Sequence, residues 1–191
     1  MGFGSMDFDP SEYGSSVARI PALDGNGQRL IPLVAGTASS EDARRLLEKE
    51  NPKALFPRSA RPKAAFAGLW LYFSCLERAH EIAQDDSSAE GSFWHAILHR
   101  QEPDSGNSAY WFRRVGSDHP VFALLTAEAI EIIRRWPDAE FRVPPRWDPF
   151  AFILFCERAR QQPGSVSERA ALEIQRAEWQ LLFHHCAKVN D

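Results

Sequence analysis

From Ser39 to the end of the chain, the segments with helical periodicity begin at helix-start signals, and this feature restricts the fold more than any other. Serine and aspartate side chains accept hydrogen bonds from the free N–H groups of a first helical turn, and proline fits the first helical position. The signals predict seven helices, over about 40–50, 63–84, 87–101, 105–116, 120–136, 149–162 and 167–188. No convincing strand pattern occurs among them. We therefore expect an all-α fold, a compact bundle of about seven helices.

Residues 1–38 differ from the rest of the chain. They hold six glycines and three prolines and show no helical periodicity. Two extended-type stretches, Val17–Leu23 and Gln28–Val34, flank a turn sequence at residues 24–27. The pattern predicts an irregular, hairpin-like N-terminal arm over residues 1–38, packed on a single helical domain formed by residues 39–191.

Composition and charge exclude several classes of protein. The apolar fraction of 44% and the charged fraction of 25% are those of an ordinary globular chain. The longest mainly apolar stretch, Phe66–Leu76, is far shorter than the roughly 20 residues of a membrane span. A net charge of −4, with no long basic run, argues against nucleic acid as a partner. Three widely spaced cysteines in apolar helices, Cys75, Cys156 and Cys186, suit reduced core thiols and a cytoplasmic location.

One stretch carries a resemblance to known proteins. Residues 90–116 read EGSFWHAILHRQEPDSGNSAYWFRRVG and residues 119–122 read HPVF. This stretch resembles a family of uncharacterised bacterial proteins, from which no activity carries over. It is also similar to one tetratricopeptide-type helical hairpin, through Phe93, Ala96, Ile97, Ala109 and Pro120. Arg100 and Asp104 depart from that repeat, and no second copy follows at a spacing of 34 residues. The resemblance therefore implies a local helix-turn-helix unit and no repeat array.

Glutamates and histidines occur on helix faces that otherwise carry large apolar side chains. In the helix predicted over 63–84, Glu77 and His80 lie within the arc of Phe66, Trp70 and Phe73. The same pattern recurs on three further predicted helices, at Glu128, Glu157, Glu178 and His185. A carboxylate in such a place must be neutralised, paired or bound to a cation, because an unpaired buried charge is costly.

Two interpretations of these residues stay open. Glu77 and His80 can form a catalytic acid/base pair, or all six residues can hold a divalent metal, as in helical bundles with four carboxylates and two histidines. The spacing fits that template in part, since Glu178 and His185 are seven residues apart. The alternative is structural, with each glutamate paired to one of the 18 arginines and each histidine hydrogen-bonded. A bound metal is possible, and no other cofactor is expected.

His95 and His99 are one helical turn apart, a spacing that allows two imidazoles to chelate one metal ion. They project roughly opposite the apolar face of their helix. Their side chains are therefore expected either at the surface or in a cleft shared with the polar side of another helix. The glutamate of the metalloprotease pattern is absent, because Ala96 follows His95.

The turn after this helix concentrates polar side chains. Arg113 and Arg114 can grip a carboxylate or phosphate, with Asn107 or Tyr110 fixing its orientation. Alternatively Arg100, together with the acidic residues of the turn, satisfies the exposed helix ends. The leading hypothesis is a cytoplasmic binding or scaffold module that recognises a small anionic ligand or a protein partner through the Arg100–Arg114 turn. The rival is a metal-binding protein or acid/base enzyme that uses the inward glutamates and histidines.

Overall fold

The computed structural model of the chain describes residues 7–189, and within them the regular structure is helical without a strand. The predicted all-α fold is therefore confirmed. Ten α-helices follow in order: α1 (Ser15–Ala18), α2 (Glu41–Leu47), α3 (Pro52–Leu55), α4 (Pro62–Tyr72), α5 (Leu76–Gln84), α6 (Ala89–Gln101), α7 (Ser105–Val115), α8 (Pro120–Arg135), α9 (Pro149–Ala159) and α10 (Val166–Ala187). None of these helices is long and apolar enough to cross a membrane.

The expected hairpin does not form in residues 7–38, and residues 1–6 lie outside the described part of the chain. Three short 3-10 turns and α1 take its place. The cause is tertiary, because the Tyr72 hydroxyl accepts hydrogen bonds from the backbone N–H groups of Gly27 and Arg29 and donates to the carbonyl of Asp24. One buried side chain thus fixes the turn that was expected to join two strands. Phe8 inserts into the same core as the helices.

The helix predicted over 63–84 is broken into α4 and α5. Ser74 adopts a left-handed conformation with φ of 59°, which is uncommon for a residue other than glycine. Arg29 stabilises the break by donating to the backbone carbonyl of Tyr72 and to the Ser74 hydroxyl. The break changes the direction of α5, so Glu77 and His80 do not continue the buried face of α4. Together with the one-turn helices α1 and α3, it explains why ten helices are found where seven were expected.

The remaining helices begin close to the predicted signals. Asp148 accepts hydrogen bonds from the backbone N–H groups of Phe150 and Ala151, and so caps α9. Ser88 caps α6, one residue after the expected Ser87, and Ser165 caps α10, two residues before the expected Ser167. Local side-chain chemistry therefore sets these helix starts.

The core is built around α4, α6 and α10, each of which is buried on most of its circumference. Trp70, Trp94 and Trp179 are fully buried, and the Trp179 indole N–H donates to the carbonyl of Gly68 at 2.7 Å. The three cysteines are buried and free. Because α6 is surrounded by other helices, polar side chains on any of its faces lie inside the protein.

Candidate functional site

Three histidines meet between α5 and α6. His95 and His99 lie one turn apart on α6, and His80 projects from α5 so that its Nε2 is 2.9 Å from Nε2 of His95. Each of the three rings offers one nitrogen, and these nitrogens all lie within 4.8 Å of one another. The His95–His99 pair thus lies in a space shared with the polar side of another helix, α5. This is one of the two positions that the sequence predicted for the pair.

The surroundings of His95 favour its neutral form. His95 is only 2% exposed, and its ring stacks on that of Trp111 with a centroid separation of 3.8 Å. Burial, reinforced by His80 and His99, lowers the pKa of His95 to about 4. Nδ1 of His99 lies 2.9 Å from the carboxylate of Glu102, at the start of the turn that follows α6. Neutral imidazoles beside a carboxylate are the form in which histidine binds metal ions.

A second cluster surrounds the carboxylate of Glu90, near the start of α6. Oε1 of Glu90 lies 2.7 Å from Nε of Arg61, 2.9 Å from Nε2 of His185 and 3.8 Å from Nε2 of His119. His119 and His185, together with Arg61, hold the pKa of Glu90 well below its ordinary value, although burial opposes this. Glu90 is therefore ionised at neutral pH.

The hydrogen bonds of this second cluster disfavour a metal ion. The backbone N–H of Val121 donates to Nδ1 of His119, so that nitrogen carries a lone pair and a neutral ring has its proton on Nε2. A metal ligand needs its lone pair on the nitrogen that faces the ion. Arg61 also holds the Glu90 oxygen that an ion would have to share. The cluster is a buried carboxylate satisfied by cationic and imidazole donors.

Sequence analysis did not single out Glu90 and His119 as site residues. Ser88 caps the helix, and the Glu90 side chain turns inward. His119 occupies the position directly before Pro120, where its ring caps α8. The position of His119 directly before Pro120 could have indicated this role from the sequence, since a histidine before a helix-opening proline can serve as an N-cap.

The glutamates proposed for a bundle metal site lie apart. Glu178 is fully buried, and both of its carboxylate oxygens accept hydrogen bonds from the Arg100 guanidinium. Glu157 is half-buried with Arg160 at 3.5 Å, Glu128 is half-buried, and Glu77 is exposed. Among residues 7–189, the two histidine-containing groups are the candidate metal clusters, and neither contains these four carboxylates. Glu178 is thus paired to an arginine, as the structural alternative predicted.

The polar turn separates into a buried and an exposed part. Arg100 is 1% exposed and faces the core, so it cannot contact a ligand at the surface. Asn107 donates its side-chain amide to Asp104. Tyr110 is about half exposed, whereas Phe112 and Val115, the apolar residues that anchor its helix, are buried. The exposed guanidiniums of Arg113 and Arg114 lie over the rings of Phe150 and Trp111, at 5.7 and 5.3 Å.

Comparison of the chain with protein-family models, with curated proteins and with solved structures finds no match.

Proposed function

We propose that the protein binds a divalent transition metal ion, with zinc as the best fit, through His80, His95 and His99. The observation that carries this proposal is the convergence of three imidazole nitrogens within 4.8 Å. Zn–N bonds of about 2.0–2.1 Å in a tetrahedral site require ligand nitrogens about 3.3 Å apart. The His80–His95 separation of 2.9 Å is within a few tenths of an ångström of that value.

The chemistry of the donors supports zinc over calcium or magnesium. Imidazole suits zinc, copper and nickel, whereas calcium and magnesium take oxygen ligands. Glu102 supplies the carboxylate that commonly accompanies a metal-bound histidine, because it lies beside the Nδ1 of His99. Three histidines leave a fourth tetrahedral position for water or a substrate, as in zinc enzymes that activate water.

The Glu90 cluster provides a comparison with this site within the same protein. Both clusters contain histidines of similar burial, but only in the Glu90 cluster does a backbone N–H occupy the lone pair of one imidazole and an arginine bind the carboxylate. We therefore place the metal at the three histidines. The three free, buried cysteines are compatible with a reducing compartment and with the cytoplasmic location proposed for the protein.

The test is metal stoichiometry and affinity in purified protein that has been stripped with a chelator and then titrated with Zn²⁺. We expect one equivalent bound, with at least tenfold weaker binding in His80→Gln and in His99→Gln, both of which change half-buried side chains. His185→Gln is the matched control, because it removes an imidazole from the Glu90 cluster and should leave zinc affinity unchanged.

Two results would overturn the proposal. One is a stoichiometry of zero for the wild-type protein in metal-replete buffer. The other is loss of zinc binding in His185→Gln with full binding retained in His80→Gln, which would move the ion to the Glu90 cluster. Thermal denaturation provides an independent measurement, since an ion that binds the folded state raises the melting temperature with its concentration.

A further inference from the structure

A groove runs between the end of α7, the start of α8 and the loop that precedes α9. It consists of two adjoining depressions of about 360 and 310 Å³. They share four lining residues, Ser117, Phe122, Arg146 and Trp147. Each volume lies at the lower end of the range of about 300–1,000 Å³ found for small-molecule sites. None of the three proposed zinc ligands lines either depression, so this groove is independent of that site.

The smaller depression has an aromatic lining. Phe112, Phe122 and Trp147 are buried beneath it, and Phe150 stands at its edge with 39% of its surface exposed. A partly exposed phenylalanine next to buried rings offers a flat face on which an aromatic or aliphatic group can pack. The depression thus favours a ligand with an apolar body.

Positive charge borders the same depression. Arg113 lines it, lies over the Phe150 ring, and has no ion-pair partner among the described carboxylates. Arg146 is paired with Asp118 at 2.7 Å, but the two side chains are 79% and 83% exposed, so the pair is weak and can exchange. The other acidic residue at the edge, Asp148, is engaged in capping α9.

We propose that this groove binds a small aromatic carboxylate. The ring packs on Phe150 and the aromatic lining, and the carboxylate pairs with the guanidinium of Arg113, which can form two parallel N–H···O bonds with it. The Arg100–Arg114 turn, which was expected to bind an anion, contains three arginines, and the proposal uses one of them. Arg113 contributes the charge, whereas Arg100 is buried against Glu178 and Arg114 lies over Trp111.

The test compares two probes that share a ring and differ in charge, 2-naphthoate and the neutral 2-naphthalenemethanol. Binding is followed in the full chain by NMR chemical-shift titration, in buffer with EDTA so that the carboxylate cannot report on bound zinc. We expect 2-naphthoate to bind at least tenfold more tightly than the alcohol, with the largest shifts at Gly116 and Ser117. Phe150→Ala should weaken both probes.

The matched variants are Arg113→Gln and Arg114→Gln, which alter adjacent exposed arginines of α7. Arg113→Gln should abolish the preference for the anion, and Arg114→Gln should retain it. Equal affinity of the wild-type protein for the two probes would overturn the proposal. So would an equal effect of the two arginine variants, or failure of 2-naphthoate to cause shifts at millimolar concentration.

Discussion

The pair formed by Arg100 and Glu178 joins α6 to α10 in the centre of the protein, and it allows a sharp test of the packing. The two side chains are 1% and 0% exposed. Although burial disfavours a charged guanidinium, the Glu178 carboxylate raises the pKa of Arg100 above its ordinary value. Arg100 also donates to the Gln175 amide oxygen at 3.3 Å and lies over the Phe152 ring at 4.6 Å. These two groups are neutral, so within residues 7–189 the Glu178 carboxylate is the charged group that compensates Arg100.

Glu178→Gln keeps the shape of the side chain and removes its charge. Removal of one partner from a buried ion pair destabilises a protein by about 3–5 kcal/mol, because the remaining charge is left without compensation. That is a large part of the roughly 5–15 kcal/mol by which folded proteins are stable. For a chain of this length, each kcal/mol shifts the melting temperature by about 2–4 °C. We therefore expect a decrease of roughly 6–20 °C.

The assays are thermal denaturation and urea denaturation, both monitored by circular dichroism, with Glu131→Gln as the control. Glu131 pairs with Arg134 at the surface of α8, so its substitution should change the free energy of unfolding by less than about 0.5 kcal/mol. The double variant Arg100→Met/Glu178→Leu should recover much of the loss, since an apolar replacement removes both charges. If Glu178→Gln costs less than about 1 kcal/mol, or if it weakens zinc binding without loss of stability, the structural role argued for Glu178 is refuted.

Substitutions at three further positions test other parts of the structure. Glu90→Gln should cost about 1–3 kcal/mol at pH 7. Since the folded-state pKa of Glu90 lies below the unfolded value of about 4.3, the difference from wild type should shrink as pH falls below that value. Melting temperatures that differ equally at pH 7 and pH 3 would contradict this. Gly68→Ala would place a Cβ 2.7 Å from the Trp94 ring and should destabilise by about 1–3 kcal/mol, so a raised melting temperature would refute the close packing. Asp148→Ala should lose about 1 kcal/mol and Asp148→Asn much less, and equal losses in denaturation would argue against capping.

Helix starts and helix-face patterns could be predicted from the sequence because their causes are local. Asp148 followed by Pro149 predicts the start of α9 through contacts within three residues, and the structure confirms it. The inward position of Glu178 was also expected from periodicity, whereas the break after α4 turns His80 toward α6. The partners of these two residues could not be predicted, since Arg100 lies 78 residues from Glu178 in the chain and His95 lies 15 residues from His80.

The failures share a physical origin in contacts between distant segments. Nothing near Ser74 predicts a break in the helix, because the donor that stabilises the break is Arg29, 45 residues earlier. The broken helix moves Glu77 to the surface and leaves His80 facing α6. In the same way, Tyr72 holds a turn that local sequence assigns to a hairpin. Sequence periodicity could therefore not group these residues correctly, because the helix break and the turn both depend on contacts between distant segments.

The position of Phe8 has a consequence for the order in which the chain acquires its structure. Its ring packs against those of Trp179 and Phe183, near the other end of the sequence, with centroid separations of 5.2 and 5.9 Å. During synthesis, Phe8 leaves the ribosome long before α10 exists, so its ring can pack against Trp179 and Phe183 only after α10 has been made. Contacts of such long sequence separation slow folding. The final step in the packing of this part of the core therefore follows the synthesis of α10.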